Sequence, residues 1–387
     1  MSARIDFDHN ATTRCAPEVV EAMQPWFGER WGNASSVHST GERARHAVEE
    51  ARAQIASLIG AAPEEMVFVA SGSEADNLAL KGCFGPHAER RHLVISAIEH
   101  PAVLETALAL EAEGVAVTRV PVDGDGLVDP DDVRRAMTPQ TALVSVMLVN
   151  NEVGTIQPVK AVAALARERG ALVHTDAVQA VGKIPVDVND LGVDLLSLAG
   201  HKFHGPPGAA ALYVRRRTRL VPLVDGGHQE RGRRAGTENV PALVGLGIAA
   251  ERARRLLGSN EPRAEALGDR LLEGILARVP DARLNGHRTR RVRATVNLCF
   301  AGVDGEAILH ALDEHGILVS TGSACSAGQQ GPSHVLIAMG LRPEDAHASV
   351  RFSLGDDNRD EEVERALEVT PAVVERWRAL ARQPGAA

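Results

Sequence analysis

The sequence has few cysteines, and they form neither a metal-binding nor a disulfide pattern. None of them is separated from another by only two residues, as a CxxC motif requires, which argues against a zinc site and against a disulfide framework. The first ten residues also lack the basic stretch and apolar core of a secretory signal. These absences predict a protein of the reduced cytoplasm, with its four cysteines at Cys15, Cys83, Cys299 and Cys325.

A long hydrophobic run and a surplus of positive charge are absent as well. The longest apolar stretch, Thr141 to Val149, is far shorter than the ~20 residues that span a bilayer, so it predicts a buried strand. The net charge of −9 argues against a membrane-surface or nucleic-acid binder. The basic runs Arg215–Arg217 and Arg288–Arg293 are typical of solvated segments, and docking of an acidic partner is the alternative.

The chain of 387 residues is longer than the roughly 250–300 residues at which a single core stops growing, so we expect two domains. From Pro17 to Arg255 helical patterns alternate with short apolar strands, which predicts an α/β fold with a mainly parallel, seven-stranded sheet. The predicted strands are Met66–Ala70, His92–Ile95, Ala116–Val120, Ala142–Val149, Leu172–Thr175, Leu195–Leu198 and Ala209–Val214; the predicted helices are Gly41–Leu58, Ser73–Gly82, Val103–Glu113, Pro130–Ala136 and Val159–Arg169.

The C-terminal part of the chain has a different character. A long helical stretch from Val240 to about Arg278 leads to a strand at Arg293–Cys299, a helix at Gly305–Glu314, a short strand, a glycine- and serine-rich loop and a final helical segment. This order is typical of a smaller α+β domain. We therefore predict a large domain at residues 16–257 and a small domain formed by residues 1–15 and 258–387, with a mobile loop at about residues 320–333.

Two polar residues follow neighbouring apolar strands in the large domain. Lys202 comes after the strand that ends at Leu198, and a lysine amine there can condense with an aldehyde and later act as a base. Alone, a lysine after a strand is more often structural. Asp176 ends the preceding strand, and an aspartate can hold a pyridine nitrogen protonated. Together the two residues predict a pyridoxal-phosphate enzyme.

Ten motifs in a fixed order then identify a family. The chain resembles the cysteine desulfurases, within the class V aminotransferase family of pyridoxal 5'-phosphate enzymes, from Asp6 to about Gly355. The resemblance implies a fold-type I transferase that takes sulfur from L-cysteine and leaves L-alanine. It rests on "DHNATT", "GNASSVHSTGERAR", "SGSEADNLALKG", "IEHPAV", "VNNEVGTIQP", "HTDAVQAVGK", "AGHKFHGPPG", "RGRRAGTENV", "STGSACSAG" and "ASVRFSLG".

The segment from Ser71 to Asp76 follows a strand and opens a helix, so its amides can bind a phosphate at the positive helix end. Taken alone, Ser73 with Asp76 also fits an ordinary capping box. The resemblance implies that the phosphate lies among four residues and that a fifth, Thr237, reaches it from the neighbouring subunit of a homodimer. Alanine stands where many relatives carry serine in that group, which consists of Gly72, Ser73, Ala199 and His201.

Four further residues receive roles from the same resemblance. His100, in "EHPAV", is expected to stack on the pyridine ring and to carry protons, although a lone histidine at a strand end is more often structural. Gln179 is expected to contact the phenolic oxygen of the cofactor. Arg351 alternates with apolar neighbours, so its guanidinium can bind an amino-acid carboxylate. Asn151 is expected to assist at the cofactor and, with Asn33, at the substrate.

Cys325 is the residue that distinguishes a desulfurase from other pyridoxal-phosphate enzymes. It lies in a run of small residues from Ser320 to Gly331 that is too poor in apolar side chains to form a core. A cysteine on a mobile loop can ionise and reach an acceptor, whereas a structural cysteine is inert. We expect Cys325 to carry a persulfide to a sulfur-acceptor protein for iron–sulfur cluster assembly, tRNA thiolation or thio-metabolite synthesis. The other three cysteines are predicted to belong to the core.

Three other functions are considered. A pyridoxal-dependent C–S lyase or selenocysteine lyase would not need the persulfide, and Cys325 argues against it. A sulfur-relay scaffold with a vestigial site is favoured only by Ala199. A nucleotide-binding function is excluded. A phosphate-binding loop would have serine or threonine after Gly182–Lys183, and this sequence has Ile184 there.

Overall fold

The computed structural model describes residues 4–85, 88–258, 263–321 and 331–382. Within these ranges thirteen strands form three sheets. Their bounds are β1 Ile5–Asp6, β2 Met66–Val69, β3 His92–Ser96, β4 Ala116–Val120, β5 Thr141–Ser145, β6 Leu172–Asp176, β7 Leu195–Ala199, β8 Ala210–Val214, β9 Ala282–Asn285, β10 Thr295–Phe300, β11 Ile317–Leu318, β12 Ser320–Thr321 and β13 Ser349–Ser353.

The helices of the described chain cover the large sheet and support the smaller one. Polar side chains begin several of them, as expected of N-caps. Their bounds are α1 Pro17–Met23, α2 Ser39–Leu58, α3 Gly72–Cys83, α4 Pro101–Ala112, α5 Pro130–Ala136, α6 Val159–Glu168, α7 Val188–Leu191, α8 Val240–Gly258, α9 Arg263–Arg278, α10 Gly305–Glu314, α11 His334–Ala338, α12 Pro343–His347 and α13 Asp360–Ala381. None of the described helices is both long and apolar enough to cross a membrane.

The large sheet has seven strands in the order β2-β8-β7-β6-β5-β3-β4. The strands β7, β6, β5, β3 and β4 pair in parallel, whereas β8 is antiparallel to both β7 and β2. The predicted mainly parallel, seven-stranded sheet is confirmed. Since parallel strands end at one edge, the residues that follow β3, β6 and β7 meet there, which is where open α/β sheets bind ligands.

The C-terminal part forms an antiparallel sheet in the order β12-β13-β10-β9, and β1 pairs in parallel with β11. The segment after β1 continues beside β13, because Asp8 bridges to Ser353 and His9 N donates to Ser353 O at 3.1 Å. The start of the chain therefore lies against the strand that carries Arg351. The domain boundaries at residues 16 and 258 stay a prediction.

Two predicted elements differ from the structure. The strand predicted to run to Val149 ends at Ser145, although Val146 N and Leu148 N still donate to His174 O and Asp176 O of β6. The stretch predicted as helical from Val240 to Arg278 contains two described helices, α8 and α9. Residues Asp123–Gly126 form a tight turn, in which Gly126 N donates to Asp123 O at 3.0 Å.

Candidate active site

A cavity of about 270 Å³ lies at the edge where β3, β6 and β7 end. It is bounded by the start of α3 on one side and by β13 of the smaller sheet on the other. Most of the residues singled out from the sequence come together here, from separate elements of both sheets. Those that line it are Gly72, Ser73, His100, Asn151, Asp176, Gln179, Ala199, His201, Lys202 and Arg351.

Lys202 ends a short 3₁₀ turn, Gly200–Lys202, directly after β7. Its Nζ donates to two backbone carbonyls of the N-terminal segment, Asn10 O at 2.6 Å and Ala11 O at 2.7 Å. Asn10 was quoted in a motif but received no role from the sequence. The structure shows that the segment carrying it crosses the cavity and holds the lysine amine at its wall.

Gln179 and Lys183 lie on the turn that follows β6. The amide nitrogen of Gln179 donates to Asn10 O at 2.9 Å, while Lys183 Nζ donates to Gln179 Oε1 at 2.5 Å and to Asn10 Oδ1 at 2.6 Å. Lys183 received no role from the sequence, where it appeared in the failed phosphate-loop pattern and at the end of the motif "HTDAVQAVGK". Its place in one motif with Asp176 and Gln179 is the signal that could have suggested the contact.

Asp176, the last residue of β6, is 5% exposed and lines the cavity. Its Oδ1 accepts a hydrogen bond from Val178 N at 2.9 Å. Burial raises the pKa of its carboxyl, while the nearby His100, the Val178 amide and Lys202 act in the opposite direction. An aspartate in this position is suited to bind a protonated ring nitrogen, because it is shielded from water and faces a cavity.

A second carboxyl, that of Asp76 on α3, was not singled out from the sequence. It is 1% exposed, and the ligand atoms of Asp76, His100 and Asp176 lie within 4.8 Å of one another. Burial, and next the charge of Asp176, raise the pKa of Asp76 well above its ordinary value. Two buried carboxylates this close cannot both ionise readily, and the pKa of Asp76 is raised further than that of Asp176, which favours the proton on Asp76 and the charge on Asp176.

His100 is the N-cap of α4, which begins with Pro101. Its Nδ1 accepts the Ala102 backbone N–H at 3.1 Å. This contact assigns the neutral imidazole, with its hydrogen on Nε2. Burial lowers the pKa of His100, and the charges of Lys202 and His334 act in the same direction against that of Asp176. His100 therefore presents an Nε2–H that can donate a hydrogen bond.

The first turn of α3 forms the opposite wall. Ser71 is the N-cap, accepting from Glu74 N at 3.0 Å, while Glu74 Oε2 accepts from Ala70 N at 2.8 Å. The capping pair predicted at Ser73 and Asp76 is therefore wrong, because the helix begins one residue before Ser73 and Asp76 is buried inside it. The amides of Gly72 and Ser73 remain at the start of α3 as anion-binding donors.

His201 joins this wall from the Lys202 turn. Its Nδ1 lies 3.1 Å from Thr12 Oγ1, and burial, with the charges of Lys202 and Lys183, lowers its pKa to about 4. A neutral His201 can donate one hydrogen bond without adding charge. Beside it Ala199, 1% exposed, supplies a methyl group to the wall.

Arg351 on β13 is 2% exposed and lines the cavity. Its Nη1 donates to Asn151 O at 2.9 Å, and its Nη2 donates to Asp8 Oδ1 at 2.7 Å. Two buried polar atoms here have no partner among the described residues, namely Arg351 Nε and Asn151 Oδ1. A donor and an acceptor left unpaired at a cavity indicate a ligand with both kinds of group, as an amino acid has.

Two predicted residues lie elsewhere in this chain. Asn33 is exposed and its Oδ1 accepts from Ser35 N at 2.8 Å, and Thr237 is exposed on the segment before α8. Cys325 lies outside the described residues. Of the other cysteines Cys299 is buried, whereas the remaining two, Cys15 and Cys83, are partly buried.

The cavity fits pyridoxal 5'-phosphate by its own chemistry. It presents an amine, a buried carboxylate and a helix start with free amides, which match the aldehyde, ring nitrogen and phosphate of that cofactor. The lining residues Gly72 and Val178 also approach closely, since a Cβ on Gly72 would lie 2.9 Å from Val178 Cγ2. A side chain at residue 72 would therefore intrude on this wall.

Comparison with known proteins agrees with the geometry. The family model for aminotransferase class-V matches residues 5–366. The cysteine desulfurase of Trichormus azollae is 47% identical over 376 residues, which cover 97% of this chain and 94% of that protein. A solved structure titled NIFS-like protein aligns with a TM-score of 0.90 at 36% identity, covering 96% of this chain and 100% of that one. Another, titled SspA in complex with cysteine, aligns with a TM-score of 0.82 at 38% identity, covering 91% and 99%.

Proposed function

The chain belongs to the aminotransferase class-V family and is a cysteine desulfurase, and from this premise we propose that it uses pyridoxal 5'-phosphate to move the sulfur of L-cysteine onto Cys325. The observation that carries the proposal is the convergence of Lys202, Asp176 and Arg351 on one cavity. An amine, a ring-binding carboxylate and a carboxylate-binding guanidinium together suit the chemistry of an amino acid on a pyridoxal cofactor.

Five residues of the cavity supply what the cofactor needs. Lys202 provides the amine for its aldehyde, and Asp176 the charge for its ring nitrogen. Gln179 contacts its phenolic oxygen, and the amides of Gly72 and Ser73 bind its phosphate. When bound, pyridoxal phosphate supplies an electron sink for carbanions at the amino-acid Cα.

Arg351 selects the substrate. Its guanidinium binds the carboxylate of L-cysteine, and Asn151 Oδ1 accepts from a donor of the ligand. The relative whose structure is titled as a complex with cysteine supports this substrate. The amine of Lys202 would then remove the Cα proton through Nζ, while the neutral His100 would donate a hydrogen bond through Nε2.

Cys325 takes the sulfur. Its thiolate forms a bond to the sulfur of the substrate as the substrate C–S bond breaks, and the electron pair of that bond stays with carbon, which is protonated to give L-alanine. The product on the protein is a persulfide. A thiolate of a sulfur-acceptor protein then takes its outer sulfur, and Cys325 is released as a thiolate. Iron–sulfur cluster assembly, tRNA thiolation and thio-metabolite synthesis are the processes that use such a sulfur.

We place the enzyme in the cytoplasm as a homodimer. Thr237 would bind the phosphate in the partner subunit, and its exposure on this chain supports that role. Asn33, also exposed, would assist substrate binding. Neither membrane nor nucleic acid is needed for the reaction.

The test compares alanine and sulfide release from L-cysteine, with a reducing thiol, in the parent and in Cys325→Ala. We expect the parent to make both products and the variant to lose turnover while keeping its cofactor absorbance. Cys83→Ala serves as the matched control and should keep full activity. An equally active Cys325→Ala would replace the persulfide mechanism by a C–S or selenocysteine lyase, and a parent without cofactor absorbance would contradict the proposal.

A further inference from the structure

Lys183 is hydrogen-bonded to two residues that line the cavity, Gln179 and Asn10. Its Nζ donates to Gln179 Oε1 at 2.5 Å and to Asn10 Oδ1 at 2.6 Å. Asn10 joins the two lysines, since its backbone oxygen accepts from Lys202 Nζ at 2.6 Å. No role at the site was assigned to Lys183 above, although it lies in the motif "HTDAVQAVGK", which also contains the ring-binding Asp176.

The contact fixes the orientation of the Gln179 amide. An amide has an acceptor oxygen and a nitrogen with two hydrogens, and the two ends have nearly the same shape. Because a lysine Nζ is a donor, it requires the oxygen of Gln179 on its side. The nitrogen end then donates one hydrogen to Asn10 O at 2.9 Å and retains a second. Gln179 lines the cavity and therefore offers it an N–H.

We propose that Lys183 is a positioning residue that holds the Gln179 amide with its nitrogen towards the phenolate oxygen of the cofactor. The inference rests on the proposed use of pyridoxal 5'-phosphate. If Lys183 were absent, only the hydrogen bond to Asn10 O would favour this orientation, and an amide turned the other way would place its carbonyl oxygen against a phenolate that also carries negative charge. Only the orientation seen here provides a donor to that oxygen.

The arrangement persists whether or not Lys183 is charged. Burial, then the charges of Lys202 and Arg351, lower the pKa of Lys183 well below its ordinary value. A neutral amine still has two hydrogens, which are enough for Gln179 Oε1 and Asn10 Oδ1. Positioning by hydrogen bonds is thus separable from a direct effect of the lysine charge on its neighbours.

The test is the pH titration of the visible absorbance of the bound cofactor. A donor to the phenolate stabilises the anionic form, so losing it moves the titration midpoint to higher pH. We expect Lys183→Met to raise the midpoint by about one pH unit, the size of one hydrogen bond to a charged group. Lys183→Arg keeps a donor and should stay near the parent. Lys160→Met, at an exposed lysine paired with Asp190, is the control and should not shift.

A double-mutant cycle separates positioning from charge. Gln179→Leu should raise the midpoint by itself, and adding Lys183→Met to it should change nothing further. An equal shift in both backgrounds, or no shift in either, overturns the inference. Thermal unfolding of the cofactor-free proteins checks that each variant folds; if Lys183→Met does not, Lys183→Leu, which also lacks a donor, replaces it in the same cycle. A parent that takes up no cofactor overturns the proposed function itself, and this inference with it.

Discussion

Arg351 donates to Asp8 through Nη2 at 2.7 Å, while its own Nε, equally buried, has no partner among the residues described. The guanidinium is thus held by the Asp8 carboxylate, and its Nε can still donate to a second carboxylate. Asp8 is partly exposed, with 26% of its side chain accessible, whereas the Arg351 side chain is 3% accessible. The charge of Asp8 therefore competes with that of the substrate for the same cation.

Asp8→Asn should lower the KM for L-cysteine about threefold or more and leave kcat nearly unchanged. The amide oxygen can still accept from Arg351 Nη2, but it no longer neutralises the guanidinium charge. Steady-state kinetics of the holoenzyme measure both constants, and Asp190→Asn at a surface pair is the matched control. A higher KM would mean that Asp8 is needed chiefly to orient Arg351.

Replacing Asp76 by asparagine should lower turnover much less than replacing its neighbour Asp176 by asparagine. Asp76→Asn replaces a protonated acid by a neutral amide of equal shape, so turnover should stay within about threefold of the parent. Asp176→Asn removes the charge that holds the ring nitrogen protonated, so turnover should fall by about a hundredfold or more. The rate of alanine release measures both. Equal losses would show that Asp76 also acts as a charged group.

Ala199→Ser should strengthen cofactor binding. Ala199 lines the cavity at the end of β7, beside the first turn of α3, where we place the phosphate. A hydroxyl there adds one hydrogen bond, worth about 1 kcal/mol, which corresponds to a roughly fivefold lower Kd. Equilibrium dialysis of pyridoxal phosphate measures it, with the exposed Ala112→Ser as control. An unchanged Kd would place the phosphate away from this wall.

Much of the fold follows from patterns that are local in sequence. Strand and helix periodicities predicted all seven strands of the large sheet, because most of these strands are short, buried apolar runs between turns. Asp176 and Lys202 could be placed at one edge from sequence alone, since parallel neighbouring strands end together. Residues at strand ends are thus the part of a site that periodicity can reveal.

Contacts between distant segments could not be predicted in this way. Asp8 and Arg351 are separated by 343 positions, and Asn10 and Lys183 by 173. Each pair meets only because the N-terminal segment runs beside β13 and across the turn after β6, and no local pattern encodes that path. Burial of the second carboxyl could not be predicted either: Asp76 resembles a helix-start residue in sequence, but its carboxyl is buried next to Asp176, and burial raises its pKa.

Glu99→Gln should make stability less dependent on pH. Glu99 is fully buried, and burial raises its pKa to about 8, against the ordinary 4.5. An ionised Glu99 is favoured in the unfolded chain but not in the fold, so its destabilising effect is absent below pH 4.5, grows up to about pH 8 and then stays constant. Glutamine keeps the acceptor for Ser96 Oγ and Met147 N without the charge.

The measurement is the Tm of Glu99→Gln relative to the parent at two pH values. We expect a gain of about 2 °C or more at pH 8.5 and little change at pH 5. Glu113→Gln, at an exposed helix end, is the control and should show no such difference. A gain that is equal at both pH values would mean that Glu99 does not retain its proton in the fold.

Gly355→Ala should destabilise the N-terminal segment that supports Lys202. A Cβ at this residue would overlap the ring of His9, which is 3% exposed, and would lie 2.9 Å from Asp357 Oδ1. His9 Nε2 pairs with that oxygen at 2.8 Å. Overpacking of this kind costs about 1–3 kcal/mol, so Tm should fall by at least about 2 °C. Gly28→Ala, where nothing lies within 4 Å of the new Cβ, should not change it.

The pH dependence of the Tm decrease tests whether Gly355→Ala breaks the ion pair between His9 and Asp357. Although burial opposes charge on His9, its contacts with Asp357 raise the pKa of His9 above 6.5, and the hydrogen bond from His9 lowers the pKa of Asp357 below 3.8. The stabilisation that His9 contributes is complete below pH 6.5 and is lost as the pH rises through the raised pKa of His9. The stabilisation that Asp357 contributes is complete above pH 3.8 and is lost as the pH falls through the lowered pKa of Asp357. The Tm deficit of Gly355→Ala should therefore be larger at pH 6 than at pH 9, by a small amount because Asp357 is half exposed. A deficit independent of pH would assign the whole effect to steric overlap.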